Sequence, residues 1–592
     1  MCGISVIIKN DNNLLEKSIQ DSLNLINHRG PDGQGIFIEG NIGFGHNRLS
    51  IQDLNPRSNQ PMQYKDLTIT FNGEIYNFLE LKEELTNLGH TFETTSDTEV
   101  ILAAYSEWGK NCVERFNGMW AFAIYDPKKS KVFISRDRFG KKPLHYLVLD
   151  DGIYIGSEIK QLLPILKKRR VNLKVLSDYL VLGISDHGED TFISGIKRLN
   201  SGTSMFVCTQ TLNINFLKYY DLGKELNKID YRGNFQDLFN KAVALRLRSD
   251  AKIGMGLSGG IDSSCVAYSI SENIGDKDFM AICASSGDEI NDESNIAKEL
   301  SDKLNLNFVK ACYSTDQRIE NIRRLIRIQD EPFPSASLLM QENVYKVAKD
   351  NGLKVMLGGQ GGDETFLGYE RYYPLILRYR DIFNVKKIRS ITKHSRLSFL
   401  NVIEYIFFFR SYFVRKYVKI FQLKSILKDK IFENVNWSIF KSQASSYSDP
   451  MTFQVNEIIH FQLPHLLRYE DRTSMAYSIE SRLPFLDYKV VEYALNLDLN
   501  KKINQKWTKL HLRESFNNLL GKIIYNKHKI GFEPPKAVHS LSKDEIKFIK
   551  ESNFYKSFLK SFEKKTFRKI NENFHWKIFI LSIWFDELEL EA

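Results

Sequence analysis

A glycine- and serine-rich stretch lies between an apolar run at residues 253–257 and the first turns of a predicted helix at 265–270. The apolar run predicts a buried strand. Glycines let the backbone approach a ligand, and free N–H groups at a helix start attract negative charge. Asp262 would repel a phosphate unless a cation lay between them, so the pattern predicts a phosphate site with Mg²⁺. The stretch consists of Leu257, Ser258, Gly259, Gly260, Ile261, Asp262, Ser263 and Ser264.

No lysine follows these glycines, so the loop differs from the common ATP loop that ends in Gly-Lys-Ser/Thr. It resembles the S-G-G-x-D-S-S loop of the ATP pyrophosphatases. That resemblance implies that the loop grips pyrophosphate while ATP is split between its α and β phosphates. A strand-to-helix turn with capping serines is the simpler alternative. Eight matching positions in a strand–helix setting favour the functional interpretation.

A second candidate for chemistry is Cys2, since removal of Met1 would leave its thiol beside its own α-amine. That amine has a pKa of about 8, so part of it is neutral at pH 7 and can take the thiol proton. A cysteine at position two by accident is the alternative, and Cys2 alone does not exclude it.

Four blocks follow Cys2, at residues 27–33, 46–51, 71–77 and 96–99. In this order they closely resemble the glutaminase domain of class II glutamine amidotransferases. The resemblance implies an N-terminal-nucleophile hydrolase, with two stacked sheets between helix layers, in which Cys2 attacks the glutamine amide.

The residue types in these blocks suit glutamine. Arg48 can bind its α-carboxylate by a two-pronged hydrogen bond. Glu74 and Asp97 suit its ammonium group, and Asn72 with the Gly73 N–H suits the oxyanion. The alternatives are a surface ion pair for Arg48, a hairpin turn for Asn72 and Gly73, and a helix cap at residues 96–99.

The chain beyond residue 231 predicts alternating strands and helices, and hence a doubly wound parallel sheet with its ligand at the strand carboxyl ends. A second glycine-rich loop follows the last predicted strand, so Asp363 is expected to face Asp262 across the metal. With the first loop, the expected ATP site includes Ala284, Gly358 and Gly359. Gln360 and Glu364 follow as the expected site of the intermediate and acceptor.

Blocks at residues 470–476, 479–487 and 507–509 closely resemble asparagine synthetases. Together with the glutaminase blocks, they identify a resemblance to glutamine-hydrolysing asparagine synthetase over roughly 2–370 and 455–535. The resemblance implies that ATP adenylates a carboxylate and that ammonia released at Cys2 crosses the protein and displaces AMP. It also implies that Lys509 touches the phosphates and the adenylated intermediate, whereas a charged helix face is the alternative.

Length and composition fit this picture. A chain of 592 residues is too long for one core, and six unclustered cysteines provide neither a disulfide framework nor zinc-ligand spacing. The start resembles no signal peptide, so a cytoplasmic protein is expected. We predict an α/β and α+β protein with a glutaminase domain at 2–207, a linker at 208–230 and an ATP-pyrophosphatase domain at 231–592 with a helical C-terminal part.

Two departures from the family stand out. Gln360 occupies a position where the family carries a carboxylate credited with taking a proton, which an amide cannot do near neutral pH. Glu364 could replace that base, the pocket could suit another acceptor, or amidation could be lost. Intact Cys2, Asp262, Asp363 and Lys509 argue against outright loss.

The second departure is the segment 374–450, which matches no motif. Residues 374–430 contain fourteen Lys and Arg and three Asp and Glu, a surplus of eleven positive charges. This surplus accounts for the whole net charge of the chain, which is +10. A buried helix with a solvated basic edge is the first interpretation, and weak contact with an anionic membrane surface is the second. No nucleic-acid partner is expected, because no recognition motif accompanies the charge.

The predicted reaction is amidation of L-aspartate with glutamine, ATP and Mg²⁺. Another carboxylate, such as a uronic sugar of surface polysaccharide, is the alternative acceptor. A regulator that binds ATP without amidating anything is a different class of alternative. The resemblance also suggests a homodimer.

Overall fold

The computed structural model describes residues 2–10, 14–226, 233–274, 279–285, 292–314, 317–377, 381, 384–519, 521, 538, 540–561 and 572–592. Part of the predicted linker, at 227–230, and the end of the predicted resemblance, at 522–535, lie outside these residues.

Two six-stranded sheets form the first domain. Their strands are β1 (Gly3–Lys9), β2 (Gly33–Glu39), β3 (Ile42–Arg48), β4 (Met62–Tyr64), β5 (Leu67–Ile75), β6 (Gly118–Asp126), β7 (Lys131–Arg136), β8 (His145–Leu149), β9 (Gly152–Gly156), β10 (Lys197–Arg198), β11 (Thr203–Cys208) and β12 (Ile214–Lys218). The orders are β10-β8-β9-β1-β3-β2 and β12-β11-β7-β6-β5-β4, and the pairings are antiparallel.

Alternating apolar side chains of the two sheets meet in one core, for example Ile4 and Val6 of β1 against Ala121 and Ala123 of β6. Helices cover the outer faces, because their apolar sides pack there. These helices include α1 (Leu15–Asn24) on the first sheet and α2 (Phe78–Asn87) and α3 (Asp97–Trp108) on the second, with the short α4 (Cys112–Arg115) and α5 (Leu173–Ser177) beyond them. The predicted αββα sandwich is therefore confirmed.

The first domain continues past Val207, where we predicted its end. Strand β12 pairs with β11 in antiparallel register, from Thr203 opposite Lys218 to Val207 opposite Ile214. The predicted linker therefore contains an edge strand of the second sheet. Polar and apolar residues alternate only weakly in β12, which is half exposed. The sequence pattern therefore does not predict this strand.

A five-stranded parallel sheet forms the centre of the second domain, in the order β15-β14-β13-β16-β17. Its strands are β13 (Ile253–Gly256), β14 (Met280–Ser285), β15 (Asn307–Cys312), β16 (Val355–Leu357) and β17 (Glu480–Arg482). Neighbouring residues of β14 face opposite sides: Ala281 and Cys283 join one apolar cluster and Ile282 joins another. Both faces are thus covered, as predicted for a doubly wound sheet.

The second part of the chain also contains α-helices. They are α6 (Leu222–Glu225), α7 (Phe235–Arg246), α8 (Ile261–Ile274), α9 (Ser294–Lys303), α10 (Arg318–Gln329), α11 (Ser337–Asp350), α12 (Gly362–Thr365), α13 (Val385–Lys393), α14 (Phe399–Arg410), α15 (Tyr412–Leu423), α16 (Asp429–Glu433), α17 (Ser438–Ser446), α18 (Pro450–Asn456), α19 (Leu463–Met475), α20 (Tyr488–Asn496), α21 (Leu499–Lys502) and α22 (Leu510–Ser515). Three more lie at Lys543–Glu551, Asn553–Phe558 and Glu572–Glu587.

The basic segment is helical, but its apolar run at residues 405–409 does not lie in a fully buried helix. In α14 only Val402 and Ile406 are buried, so the helix lies half on the protein and half in solvent. Within the described ranges, no helix combines the length and the apolar character needed to cross a membrane.

Candidate active sites

The predicted glutamine residues come together at one end of the first sandwich. Cys2 precedes β1, Arg48 ends β3, and Asn72, Gly73 and Glu74 lie on β5. Since β1 pairs with β3 and the two sheets stack, these strand ends meet. Cys2, Arg48, Gly73, Glu74 and Asp97 line one small cavity.

Asn72 is placed for two contacts with the reacting groups. Its Oδ1 accepts a hydrogen bond from the Cys2 backbone N at 3.1 Å, the nitrogen that becomes the α-amine after Met1 removal. Its Nδ2 is buried and has no hydrogen-bond partner among the described residues. A buried donor beside Cys2 suits a developing oxyanion. Gly73 allows close strand packing, because a Cβ there would lie 2.1 Å from the Met119 carbonyl oxygen.

Arg48 is oriented by carbonyl oxygens. It donates to Asn59 Oδ1 at 2.8 Å and to the backbone oxygens of Asn55 at 3.0 Å and Asp53 at 2.5 Å. Carbonyl groups fix the guanidinium without cancelling its charge, so Arg48 can still attract a substrate carboxylate.

Glu74 and Asp97 form a buried pair of carboxyl groups. Burial, with the nearby Asp97, raises the pKa of Glu74 well above its ordinary value. Burial also raises the pKa of Asp97 to about 7. One oxygen of Glu74, Oε1, has no hydrogen-bond partner in the described part of the chain. A ligand ammonium group would satisfy that oxygen and offset the cost of burying both groups.

The second domain also contributes to this cavity, which sequence reasoning missed. Glu480 of β17 lines the cavity, and Arg482 of the same strand lies 3.3 Å from Glu74. Arg29 donates to the Cys2 carbonyl oxygen at 3.0 Å and forms buried ion pairs with Glu158 at 2.8 Å and Asp471 at 2.9 Å. In the sequence, the one sign of such roles is that Arg29, Asp471, Glu480 and Arg482 lie within the blocks that resemble the family.

The predicted pyrophosphate loop lies at the carboxyl edge of the parallel sheet. Gly259 has a φ of 69°, a left-handed conformation that favours glycine. The Ser264 hydroxyl donates to the Gly260 carbonyl oxygen at 2.7 Å, and the Ser258 N–H donates to Ser263 Oγ at 3.2 Å. The serines thus hold the loop against the start of α8. Ala284, near the end of β14, lies at the same edge.

The second glycine-rich loop packs directly on the first. A Cβ at Gly359 would lie 2.9 Å from the Ser263 nitrogen, and one at Gly362 would lie 2.7 Å from Asp262 Cγ. Gly358, between β16 and these glycines, is also near Glu470. The two loops can approach this closely only because these positions lack side chains.

Lys509 joins the two loops. Its ammonium nitrogen lies 2.5 Å from Asp262 Oδ2 and 2.5 Å from Asp363 Oδ1. Lys509 is buried and has a φ of 52°, just before α22, so it is not on a charged helix face. The Lys509 ammonium therefore lies between the carboxylates of the two glycine-rich loops.

The same carboxylates suit a magnesium ion by their chemistry. Protein-bound Mg²⁺ at nucleotide sites uses one or two carboxylates and completes its shell with phosphate oxygens and water. Asp262 and Asp363, which both contact the Lys509 ammonium, provide such a pair. Within the described residues, no cluster of three or more His, Cys, Asp or Glu side chains could hold a metal ion.

Glu364 and Gln360 lie next to these groups but differ in their surroundings. Glu364 is fully buried, its Oε1 accepts from the Tyr369 hydroxyl at 2.8 Å, and burial with the nearby Asp363 raises its pKa to about 7. Gln360 is half-buried, and its side chain makes no hydrogen bond within the described ranges. Glu364 can therefore exchange a proton near neutral pH, whereas Gln360 presents a free amide.

Comparisons with known proteins match both halves of the chain. Residues 1–220 match the family model for a glutamine amidotransferase domain, and residues 234–569 match that for asparagine synthase. The chain is 30% identical to asparagine synthetase [glutamine-hydrolyzing] 1 of Bacillus subtilis over 90% of this chain and 87% of the relative. It is 31% identical to asparagine synthetase [glutamine-hydrolyzing] 2 of the same species over 94% of this chain and 74% of that relative. Amidase chry2 of Gibberella zeae is 26% identical over 90% and 89%.

Proposed function

Because the chain belongs to the asparagine synthase family, we propose that it converts L-aspartate to L-asparagine with ATP and glutamine. ATP forms a β-aspartyl adenylate and releases pyrophosphate. Cys2 attacks the glutamine amide and releases ammonia, and water later frees glutamate. Ammonia then attacks the adenylate carbonyl, and AMP leaves.

The pairing of two sites in one chain carries this proposal. Cys2 lies with Arg48, Glu74 and Asp97 in a cavity suited to glutamine. Lys509 lies 2.5 Å from both loop carboxylates of the expected ATP site. Neither site alone requires the other, but together they supply an ammonia source and an activated carboxylate.

The roles within each site follow from their positions. We propose that Asn72 and Gly73 bind the oxyanion, and that Leu257, Ser258, Gly259 and Gly260 with the two serines of α8 bind pyrophosphate. Mg²⁺ would be held by Asp262 and Asp363, where it would neutralise phosphate charge. Lys509 orients and stabilises the phosphoryl oxygens at the adenylation step.

Amidation of a different carboxylate is the second candidate, because Gln360 replaces the carboxylate that the resemblance predicts. A neutral amide can donate a hydrogen bond to an anionic acceptor, which a carboxylate cannot do. A uronic sugar is an acceptor of this kind. The relative amidase chry2, whose name differs from asparagine synthetase, supports the possibility of other substrates among similar proteins.

A panel of acceptors separates these candidates. The measurement is pyrophosphate release and amide formation with ATP, Mg²⁺ and glutamine, in the presence of aspartate or of a uronic acid. Amide formation from aspartate supports the first candidate. Activity with the sugar acid but none with aspartate would transfer the proposal to the second, and no activity with any acceptor would favour an ATP-binding regulator.

We further propose a homodimer in the cytoplasm, where ATP and glutamine are supplied, with no nucleic-acid partner. Weak contact with a membrane surface through 374–430 is part of the same proposal.

A further inference from the structure

Two adjacent helices of the basic segment present large apolar side chains to solvent. In α15, Phe421 is 82% exposed, Phe413 67% and Tyr417 66%, and in α14 Leu400 is 75% exposed. Phe407 of α14 is 38% exposed. Burial of such groups is the main source of stability for a protein, so a cluster of this size left in water indicates a binding surface.

The spacing in α15 makes a continuous stripe. Phe413, Tyr417 and Phe421 are four residues apart, so they lie on one side of the helix. The other side is anchored: Arg415 and Leu423 are buried, and the Arg415 guanidinium lies 4.1 Å from the centre of the Phe440 ring. We call the side chains of Phe413, Tyr417 and Phe421 the aromatic face.

Two lysines lie beside this face. The fourteen Lys and Arg of 374–430 include Lys424, which is exposed one turn beyond Phe421, and Lys416, which lies 5.1 Å from the Trp437 ring centre. The described acids in this region are Asp381, Glu404 and Asp429. Two of the three are paired, Asp381 with Lys387 at 3.0 Å and Asp429 with Lys560 at 2.8 Å.

We propose that the aromatic face docks on the surface of an anionic lipid bilayer. Exposed aromatic side chains enter the boundary between headgroups and acyl chains, and the flanking lysines meet lipid phosphates. Charge complementarity selects this occupant. A second copy of the chain would bring two surfaces with the same positive excess together, which costs free energy.

Helix α14 packs on the segment that follows the acceptor loop. Val402 and Ile406 on the buried side of α14 share an apolar cluster with Leu367 and Tyr372, which follow Glu364 in the chain. The Arg410 Nε donates to the Pro374 carbonyl oxygen at 2.9 Å. A bilayer at the aromatic face would therefore lie against helices that pack on this segment.

Co-sedimentation of the full-length protein with vesicles tests the docking. The probes are vesicles of phosphatidylcholine alone and vesicles that also contain phosphatidylglycerol. We expect binding to the second kind, weakened by added salt because the charges are exposed. The double variant Phe413→Ser/Phe421→Ser should bind about 100-fold more weakly, about tenfold per side chain. Lys424→Glu should lower binding by about fivefold or more.

Phe216→Ser is the matched control, because Phe216 is 54% exposed on β12 of the other domain. It should leave vesicle binding unchanged, and glutaminase activity should show that all variants are folded. Equal binding by the control and the double variant would overturn the proposal. A second result would also overturn the proposal. In it, the wild type does not bind vesicles but forms a dimer in ultracentrifugation, and the double variant abolishes that dimer.

The amidation assay with soluble acceptors is independent of vesicles. Failure of docking therefore leaves the proposed amidation intact, and an inactive enzyme that still binds vesicles would refute only the proposed amidation.

Discussion

Arg482 of the second domain lies 3.3 Å from Glu74 in the glutamine cavity of the first domain. The same guanidinium lies 2.5 Å from Glu480, and all three side chains are buried. One cation thus holds carboxylates from both domains at the wall of the cavity that contains Cys2. The electrostatics of the glutamine site therefore depend on how the second domain packs.

The substitution Arg482→Met should damage both stability and glutamine use. It leaves Glu74 and Glu480 buried without their common cation, which costs about 3–5 kcal/mol. Urea unfolding measures the loss, and glutaminase kinetics should show a higher KM for glutamine. Arg248→Met is the control, since Arg248 pairs with the exposed Glu80 and should cost at most about 1 kcal/mol. Equal losses in the two variants would contradict the role given to Arg482.

Cys2→Ala should abolish glutamine hydrolysis and leave amidation with free ammonia nearly unchanged. The reason is that Cys2 lies in the first-domain cavity, whereas Lys509 and its two carboxylates lie at the edge of the second-domain sheet. Parallel assays with glutamine and with ammonium chloride measure the split. Intact-mass analysis of the wild type should show that Met1 is absent. Equal loss of both activities, or a retained Met1, would count against the two-site scheme.

Glutamine binding should strengthen as pH rises through about 7. Burial raises the pKa of Asp97 to about 7, so below that pH the group is neutral and attracts the ligand ammonium less. The raised pKa also means that Asp97 favours folding at low pH and loses that contribution as pH rises through about 7. Calorimetry with the Cys2→Ala protein should give a Kd about tenfold higher at about pH 6 than above pH 7. Asp97→Asn should bind weakly at every pH, and a similar pH slope in that variant would assign the titration elsewhere.

The local parts of both sites could be predicted from the sequence, and the parts formed by domain packing could not. The loop at Ser258–Ser264 is a continuous motif whose glycines and serines fix its own conformation. Arg482 and Glu480 are more than 400 residues from Glu74 in the chain, and nothing in their spacing shows that β17 reaches the first domain. The apolar run at 405–409 is likewise predicted to lie in a buried helix, yet Phe407 is 38% exposed. Apolar periodicity indicates one face of a helix without showing whether protein covers it.

Lys509→Met should remove adenylation and spare glutaminase activity. The variant leaves Asp262 and Asp363 facing each other without the ammonium that lies 2.5 Å from each, so binding of ATP phosphates should weaken as well. We expect pyrophosphate release to fall by at least about 100-fold, which corresponds to about 2.7 kcal/mol. Lys506→Met is the matched control, because Lys506 is exposed three residues earlier. Normal pyrophosphate release by the Lys509 variant would exclude its contact with the reacting phosphates.

Gln360→Glu should distinguish the two acceptors. If Gln360 only occupies the place of a lost base, the new carboxylate should speed the amidation of aspartate or leave it unchanged. The rate would stay unchanged if Glu364 already serves as the base, since burial raises its pKa to about 7 and it can accept a proton. If Gln360 recognises another anionic acceptor, the new charge should repel it. The repulsion between like charges about 4 Å apart at a partly buried site costs about a few kcal/mol, which is enough for about a 100-fold loss. We expect a loss with the preferred acceptor, which is anionic in either case, because Gly359 and Gly361 leave the Gln360 amide room to approach it. The measurement is kcat/KM with aspartate and with a uronic acid. Glu364→Gln serves as the companion variant, and it should reduce amide formation more than pyrophosphate release. Improved use of aspartate by Gln360→Glu would refute recognition of a different acceptor by Gln360.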